Sequence, residues 1–415
     1  MNKLVLFSFL MISQVIIAQM QIHTLNVATN ELVYSTNTNR IYASIPSSNG
    51  SNGNSIGKIN PATYTLESTV FMGSEPSTLA VSDNGQYIYA GFTGTSTVRR
   101  FNVATGTAEI QFPLGSDSFS GPFFAYDISV MPGNSGTIAV SRKVQNSTGF
   151  YGTAIYDNGV VRSVNTNTNY PNDDPYVIRF VDASTLYGFN NHSTGFDFTK
   201  MLVTTSGITE VSSIGSIAYN FNIENFVYNG NQVYFDFGTV VDKSFDPPFV
   251  VGQFTGADGR VVYDNINNLV CYATYNYNTN AVIFKRYNPE TYLLHDSIAV
   301  PQALGPIKSI TLCGSGCYAF NSANNKVIII TNGNVLNNEE FSADFIDVFP
   351  NPIKDVVTVN AKITVKSVQI YDLSGKVLLI SNDNVINIAN FAKGIYLMKI
   401  IDENGNVVSK KIIKN

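Results

Sequence analysis

The sequence predicts an all-β fold with two domains, and three observations support this prediction. Charged residues make up only 13% of the 415 residues, Trp is absent, and there are 23 Tyr and 27 Phe, a composition that favours strands over helices. Short strand-like segments recur between residues 31 and 330. From Ile346 onward, closely spaced alternating strands are separated by Gly, Asn and Asp. The chain is long enough for two domains with separate cores.

The N-terminus has the pattern of a secretory signal peptide. Lys3 precedes an apolar run from Leu4 to Ile17, and Ala18 supplies a small residue at its end. This order predicts a signal peptide over residues 1–18. The run is too short for a stable membrane span, and no other stretch of the sequence is apolar enough for one. We therefore expect an exported, soluble protein with no transmembrane segment.

Seven strand-like segments recur with related apolar patterns. Their central residues are separated by steps of 47, 49, 49, 47, 37 and 47 residues. A period of about 40–50 residues built from short strands is typical of a β-propeller, in which each repeat forms one four-stranded blade. We therefore predict a seven-bladed β-propeller over residues 20–336. The central residues are Tyr42, Tyr89, Ile138, Tyr187, Tyr234, Cys271 and Tyr318.

One blade can be followed strand by strand from Ser77 to Phe112. Asp83-Asn84-Gly85 is a hairpin turn whose Asn-Gly suits positive φ, and Ala104-Thr105-Gly106 is the next turn. This region and residues 282–300 resemble YVTN-type propeller repeats, in which a strand pair is followed by an Asp-x-x-Thr turn. Between residues 140 and 250 the blades are predicted from spacing alone.

A propeller must close its ring so that no blade keeps an open edge. The last predicted blade has three clear strands, and only residues 334–340 remain after them for a fourth. Gln21–Val27 precedes the first repeat and alternates in character. We predict that this N-terminal segment supplies the outer strand of the last blade.

Two of the three cysteines form a disulfide candidate. Cys313 and Cys317 flank a Gly-Ser-Gly turn, and a hairpin there would bring their Cβ atoms within disulfide range. An oxidising exported compartment favours that pairing. A metal site is disfavoured because no further His or Cys lies nearby. Cys271 lies in an apolar strand and is predicted to be a buried core residue.

The sequence lacks the motifs of familiar catalytic sites. His23, His192 and His295 have no metalloprotease spacing, and neither a Gly-x-Ser-x-Gly elbow nor a phosphate-binding glycine loop occurs. Each His is predicted to be a surface or turn residue. The acidic segment Pro171–Pro175 lacks calcium-loop spacing and is interpreted as a solvated loop. Asp242–Pro248 is interpreted as a long loop that could border a binding surface. We therefore predict no metal and no cofactor.

Two function classes remain open for residues 20–336. Residues 19–345 carry 15 basic and 24 acidic residues, a balance of −9, which argues against nucleic acid as a partner. One class is a non-catalytic binding or adhesion module for an unknown extracellular ligand. The other is a propeller enzyme, a lactonase-like hydrolase or a lyase, whose active site the sequence does not identify. The aromatic stretches Tyr219–Phe226 and Tyr272–Tyr277 fit strand packing, and exposed members could instead stack on sugar rings.

Residues 346–415 predict a small Ig-like β-sandwich. Six short segments alternate apolar and polar residues and are separated by turns such as Asp372-Leu373-Ser374-Gly375. These residues carry nine Lys and six acids, a balance of +3. This sign is opposite to that of the propeller and marks a separate module. The segments are 356–360, 367–371, 376–380, 385–388, 395–401 and 407–413.

Four sequence blocks in this module resemble the type A C-terminal sorting domain of the type IX secretion system of Bacteroidetes. They are Phe349-Pro350-Asn351-Pro352, Ile370–Lys376, Gly394–Leu397 and the Lys-rich end, and they occur in the expected order. The resemblance implies recognition by the type IX machinery, passage of the folded protein across the outer membrane and removal of the tail. The residues that carry the signal by this resemblance are Pro350, Asn351, Pro352, Gly375, Gly394, Lys410 and Lys411.

The same resemblance predicts where the protein goes after export. Cleavage is expected in the linker 337–345, whose Asn, Glu and Ser content fits an exposed segment. The propeller would then be secreted, or held on the outer-membrane surface by attachment to lipopolysaccharide.

Overall fold

The structure, a computed structural model, describes residues 20–144, 149–166, 175–332, 346–361, 364–372, 375–402 and 407–415. The predicted signal peptide, the acidic residues 171–174 and the predicted linker 337–345 lie outside these ranges. The chain divides into two compact units, residues 1–333 and 334–415.

Within the described residues, the first unit contains seven antiparallel sheets. The innermost strands of successive sheets pack against one another, so that the sheets form the blades of a ring. The unit is therefore a seven-bladed β-propeller. The first three blades contain β2 (Leu32–Ser35), β3 (Arg40–Ile45), β4 (Ser55–Asn60) and β5 (Thr65–Phe71), then β6 (Pro76–Val81), β7 (Tyr87–Phe92), β8 (Thr97–Asn102) and β9 (Thr107–Pro113), then β10 (Ser116–Asp117), β11 (Gly121–Val130), β12 (Thr137–Val144), β13 (Phe150–Asp157) and β14 (Val160–Val161).

The remaining four blades complete the ring. Two 3₁₀ turns, Ser47–Asn52 and Asp236–Gly238, lie in loops. The strands are β15 (Val177–Phe180), β16 (Thr185–Phe189), β17 (Phe198–Thr204) and β18 (Gly207–Ile214), then β19 (Phe226–Asn229), β20 (Gln232–Phe235), β21 (Thr239–Asp242) and β22 (Phe249–Gln253), then β23 (Gly259–Asp264), β24 (Leu269–Asn276), β25 (Ala281–Tyr287) and β26 (Leu294–Ala299), and finally β27 (Ile307–Gly314), β28 (Cys317–Ser322), β29 (Lys326–Asn332) and β1 (Met20–Asn26).

The seven recurring sequence segments lie in equivalent strands of the blades: β3, β7, β12, β16, β20, β24 and β28. Each lies in the middle of its sheet and is covered on both faces by neighbouring blades. All six residues of β28 are buried, for example. None of the seven residues of the outermost strand β5 is buried. The apolar repeat is therefore strongest where a strand is covered on both faces.

The ring is closed by the N-terminal strand. β1 pairs antiparallel with β29, with Ile22 opposite Ile330 and Leu25 opposite Val327. The last sheet has the order β1-β29-β28-β27, so the first described strand is its outer edge. The predicted closure by Gln21–Val27 is confirmed, although the strand begins and ends one residue earlier than predicted.

Blade 3 differs from the four-stranded prediction. Its sheet has five strands in the order β10-β11-β12-β13-β14, and the first and last contain two residues each. The extra strand β10 arises because Asp117 accepts hydrogen bonds from the backbone N–H groups of Phe119 and Ser120, at 3.0 and 2.8 Å. This turn folds the incoming chain back along β11.

An Asn side chain organises the turn after the third strand in three blades. The Oδ1 atom of Asn102 accepts the backbone N–H groups of Ala104 and Thr105, at 3.0 and 3.1 Å. Asn60 and Asn288 make the same pair of bonds two and three residues ahead. Such a turn explains the Asn-x-x-Thr pattern physically. The assignment of these segments to YVTN repeats stays a prediction.

The core of the propeller lies between its blades. Tyr89 of blade 2 packs in one cluster with Ile138 of blade 3, and Cys271 of blade 6 packs with Phe320 of blade 7. Cys271 is buried and carries no disulfide, as its apolar sequence context predicts. Each blade is therefore stabilised mainly by apolar contacts with its neighbours.

The second unit is a β-sandwich of two antiparallel sheets. Among the described residues, one sheet has the order β30-β31-β34 and the other β33-β32-β35-β36. Val357, Val368, Ile370, Met398 and Ile412 are buried in a single core. The strands are β30 (Ile346–Phe349), β31 (Val356–Ala361), β32 (Val365–Tyr371), β33 (Val377–Ser381), β34 (Val385–Asn387), β35 (Gly394–Asp402) and β36 (Val407–Lys414).

We expect loss of β1 to destabilise the whole propeller. Deleting Gln21–Val27 should lower the melting temperature markedly, because β29 would be left as an open edge. Ile22→Asp should cost about 2–4 kcal/mol of unfolding free energy, since Ile22 packs against the core of the last two blades. Thr24→Asp is the control, because Thr24 is exposed on the same strand. Equal melting temperatures for the deletion and the wild type, measured by circular dichroism, would contradict the closure.

Candidate functional site

The innermost strands of the propeller all begin at one end of the ring, which we name the mouth face. Because the sheets are antiparallel, the loops that lead into each innermost strand also lie there. So do the loops that follow the strand next to the innermost one, which is β3 in the first blade. Polar and charged residues cluster at this end, at or near the innermost strands. They include Glu31, Asp127, Arg179, Glu224, Asn225, Arg260 and Lys308.

One charged group joins blades 3, 4 and 5. Arg179 donates from Nη1 to Asp127 Oδ2 at 2.5 Å and from Nη2 to Asn225 Oδ1 at 2.6 Å. The backbone N–H of Ile178 donates to the same Asp127 carboxylate at 2.9 Å. These partly buried, charge-assisted bonds fix the spacing of three neighbouring blades.

A second charged group joins blades 5, 6 and 7. Arg260 donates to Asp236 Oδ2 at 2.7 Å, to the carbonyl of Lys308 at 3.0 Å, and to Glu224. Asp236 is fully buried, and burial raises the pKa of its carboxyl while Arg260 opposes that rise. It also accepts the backbone N–H of Val261 at 2.8 Å. Removing Arg260 would leave a buried carboxylate without its cation.

Glu31 is a carboxyl group of the mouth face whose pKa lies near neutrality. Its Oε2 accepts the backbone N–H of Leu79, on the neighbouring blade, at 2.8 Å. Burial, and then the negative charge of Asp127, raise the pKa of Glu31 to about 7, while Arg179 acts in the opposite direction. A carboxyl group with this pKa exchanges protons at physiological pH.

Aromatic and amide side chains form a third group, which joins blades 3, 4 and 5. Lys143 Nζ lies 5.0 Å from the centroid of the Tyr126 ring, and the rings of His192 and Tyr176 have centroids 4.0 Å apart. Asn191 is buried and donates from Nδ2 to the carbonyl of Ile223 at 2.7 Å and to the Tyr126 hydroxyl at 3.2 Å. Burial, followed by the charge of Lys143, lowers the pKa of His192.

Two exposed aromatic rings lie on the loop that leads into blade 5. Tyr219 is 75% exposed and Phe221 is 53% exposed. Their ring centroids lie 5.8 and 4.7 Å from that of Phe196, which is buried beneath them. Exposed rings supported by a buried ring form a rigid apolar surface on an otherwise polar face.

The structure separates the other residues that the sequence singled out. His295 is exposed, whereas His23 stacks on Tyr64 with 3.6 Å between ring centroids. Tyr272 is fully buried, as the strand-packing interpretation predicts, and Tyr277 is exposed. The loop 243–248 joins a third to a fourth strand and so lies at the end of the ring opposite the mouth face.

The described residues contain neither a cluster of metal ligands nor a helix that could span a membrane. No three His, Cys, Asp or Glu side chains of the described residues lie close enough together to hold a metal ion. The described part of the chain also contains no helix with the length and apolar character needed to cross a membrane.

Cys313 and Cys317 are joined in the structure at the tip of the β27–β28 hairpin. Their Sγ atoms lie 2.02 Å apart and their Cα atoms 4.9 Å apart. Both side chains are buried in the cluster that joins blades 7 and 1. The pair therefore lies on the blade that closes the ring.

Several residues implied by the sorting-domain resemblance meet at one end of the β-sandwich. Asn351 donates from Nδ2 to the carbonyl of Lys411 and accepts the backbone N–H of Ile413, both at 2.9 Å. The Pro-Asn-Pro segment is thereby tied to the last strand. Gly394 is paired with Lys414. Gly375, with φ of +85°, lies in the turn after β32 at the same end of the sheet.

The remaining residues of that set lie along the surface. Lys410 and Lys411 pair with Met398 and Leu397 across the β35–β36 ladder. Lys411 is exposed, as are Pro350 and Pro352. The fold thus brings together two residues of this set that are 60 positions apart in the sequence, Asn351 and Lys411.

Comparisons with solved structures show the fold of the first unit. A chain of Kuenenia stuttgartiensis hydrazine synthase aligns with a TM-score of 0.55 at 14% identity, covering 75% of this chain and 97% of its own length. The β-propeller domain of Myceliophteria thermophila Cps50 (Swd1) also aligns with a TM-score of 0.55, at 13% identity, covering 75% of this chain and 99% of its own. At such low identity the likeness concerns the fold alone. No curated protein sequence matches the chain.

The family comparison concerns the second unit. Residues 347–415 match the family described as the secretion system C-terminal sorting domain. This match agrees with the type IX resemblance of the sequence blocks. The protein is therefore a β-propeller that carries a type IX sorting domain and is secreted or exported to the cell surface.

We expect Glu31 to make the stability of the propeller depend on pH. Its pKa is about 7 when folded, against an ordinary value of 4.5, so the folded state binds more protons between these values and stability falls as the pH rises through them. Glu31→Gln keeps an acceptor for the Leu79 N–H. It should match the wild type at pH 4 and be more stable at pH 8, by up to about 3 kcal/mol.

Chemical denaturation at the two pH values measures this difference. Glu290→Gln is the control, because Glu290 is exposed. A Glu31→Gln variant whose advantage does not change with pH would contradict the environment described for Glu31.

We predict that the Cys313–Cys317 bond is formed in the exported protein. Unreduced peptide mass spectrometry should detect the bridged peptide, while Cys271 should be alkylated only after unfolding because it is buried. Alkylation of Cys313 and Cys317 in the native, unreduced protein would show that the pair is not oxidised.

Proposed function

We propose that the mature propeller is a non-catalytic binding module that works outside the cell and meets its ligand at the mouth face. The observation that carries this proposal is the pair of exposed rings, Tyr219 and Phe221, on the same end of the ring as the half-buried cation Lys143. Exposed aromatic surface next to a few polar groups is typical of ligand-binding sites.

The bound carboxylates of the mouth face support binding over catalysis. Asp127 and Asp236 each accept hydrogen bonds from an arginine of another blade. Glu224 is also engaged by Arg260. These carboxylates hold the blades together, so their charges serve the fold before any chemistry.

The experiment for this proposal is a glycan and small-molecule binding screen on the mature protein, with metal analysis of the same sample. The double variant Tyr219→Ala/Phe221→Ala should lose binding and keep the wild-type melting temperature. Phe245→Ala is the control, because Phe245 is also exposed but lies on the opposite end of the ring. An ordered divalent metal at the centre of the propeller, or turnover of a ligand, would overturn the proposal.

A propeller enzyme is the second candidate, and Glu31 is the observation that favours it. A carboxyl group with a pKa of about 7 suits general acid–base catalysis in a lactonase-like hydrolase or a lyase. Incubation with chromogenic lactones and glycosides tests this candidate. Activity that disappears in Glu31→Gln while the fold is retained would support it.

The sorting residues are proposed to form one recognition surface. The end of the β-sandwich that contains Pro350, Asn351, Pro352, Gly375 and Gly394 would contact the type IX machinery, with Lys410 and Lys411 beside it. This proposal is supported by the hydrogen bonds from Asn351 to the last strand. Removal of the tail within 337–345 and attachment to lipopolysaccharide are part of the same proposal.

We expect deletion of Ile346–Asn415 to leave the propeller in the periplasm. Asn351→Ala should reduce export in the same direction, because the loss of two hydrogen bonds, at about 1 kcal/mol each, frees the end of β36. Asn360→Ala is the matched control, since Asn360 is exposed on β31. Immunoblots of periplasm, cell surface and medium measure the distribution. Export of the deleted form at the wild-type level would contradict the sorting role.

A further inference from the structure

Lys143 is a cation of the mouth face without an acidic partner at ion-pair distance among the described residues. It lies near the end of β12, and its Nζ lies over the Tyr126 ring, 5.0 Å from the ring centroid. Burial lowers the pKa of Lys143 and the charge of Glu224 opposes this, but the Glu224 carboxylate is paired with Arg260. A half-buried ammonium group without a counter-charge has lost part of its hydration. An incoming anion would restore a partner.

A buried amide that contacts the same tyrosine as Lys143 has an unused hydrogen-bond acceptor. Asn191 is 1% exposed. Its Nδ2 donates to the Tyr126 hydroxyl and the Ile223 carbonyl, whereas its Oδ1 has no hydrogen-bond donor in the described structure. Buried acceptors are normally satisfied by protein or by water. The Tyr126 hydroxyl thus lies beside an amide whose carbonyl oxygen has no hydrogen-bond donor.

The exposed rings are continuous with this polar group through a single loop. Residues 215–225 contain Tyr219 and Phe221, and the carbonyl of Ile223 in the same loop accepts the hydrogen bond from Asn191. The carbonyl of Asn222 accepts a bond from Arg260 at 2.9 Å. The loop is therefore anchored on two sides, and Asn191 links it to the Tyr126 hydroxyl, over whose ring Lys143 lies.

We propose that the surface formed by Lys143 and Tyr126 of blade 3, Asn191 of blade 4, and Tyr219 and Phe221 on the loop into blade 5 binds the end of a short carboxylate-bearing glycan. The ligand's carboxylate would pair with Lys143, and the apolar face of a sugar ring would pack on Tyr219 and Phe221. The proposal rests on the binding function proposed above and names its ligand class.

The charges of the chain favour the end of a short glycan over a long polyanion. Residues 19–345 have a balance of −9, which repels an extended anionic chain at distances within the Debye length of about 8 Å. Lys143 provides one local counter-charge. One carboxylate and one or two ring faces match what the surface offers.

The experiment measures binding of trigalacturonate and of its trimethyl ester to the mature protein by isothermal titration calorimetry. The ester keeps the sugar rings and lacks the charges. Trigalacturonate should bind more tightly than the ester to the wild type. Lys143→Met should weaken trigalacturonate binding by about ten- to a hundredfold, the range for a hydrogen bond to a charged group, and should leave the ester unaffected.

Further variants separate the two parts of the surface. Tyr219→Ala should weaken both ligands, and Lys143→Arg should restore most of the preference for the acid. Lys243→Met and Phe245→Ala are matched controls, because both residues lie on the loop 243–248 at the other end of the ring. Melting temperatures identify any variant that fails to fold, and Lys143→Met, on a half-buried side chain, should melt as the wild type does.

Three results would overturn the inference. Equal affinity for the acid and the ester would remove the role of Lys143. Citrate binding as tightly as trigalacturonate would indicate an anion site without sugar recognition. If neither glycan binds, while another ligand binds in a way that requires Tyr219, the ligand class would be refuted and the proposed binding function would remain. Cleavage of a glycan by the wild type would overturn the binding function itself.

Discussion

Closure of the ring by β1 is the constraint on which the propeller depends. Strands from the two ends of the first unit pair through backbone hydrogen bonds, with Met20 opposite Asn332. This pairing ties the N-terminal strand to blade 7, directly before the chain enters blade 1. Blades 7 and 1 are also joined by a hydrogen bond from the Leu32 N–H to Ser309 Oγ at 3.1 Å. The disulfide lies at the tip of the same closing blade.

Most of the charged side chains described at the mouth face pair with one another across blades, and a few groups are left for other interactions. Arg179 and Arg260 hold carboxylates from other blades, so most of the charge at the centre is neutralised by the fold itself. This use of charge is consistent with the general rule that buried ions are paired. What remains is a small set of groups, chiefly Lys143, Glu31 and two exposed rings, whose interactions the fold does not complete.

The sequence allowed much of the fold to be predicted, because covered strands leave a periodic apolar signal. The recurring apolar segments predicted the covered strand in each blade, such as β3 and β28. The strand β1 could be predicted because a closed ring needs an outer strand in its last blade. The fifth strand of blade 3 was missed, since it depends on a single Asp117 turn and has no periodic signal. The site was mostly missed. Lys143, Asp127 and Arg179 stand in unremarkable sequence contexts, and only their neighbours in space give them meaning.

The sequence by itself determined the architecture and the destination of this protein. The period of the blades, the closing segment and the sorting blocks are all patterns of residues that are close together in the sequence. Such patterns can be recognised without the structure. The tertiary structure alone decided which side chains meet: Asn351 with the last strand, Arg260 with Asp236, and Lys143 with Tyr126. Such pairs are far apart in the chain or on different strands. Their chemistry depends on distance and burial, which exist only once each domain has folded.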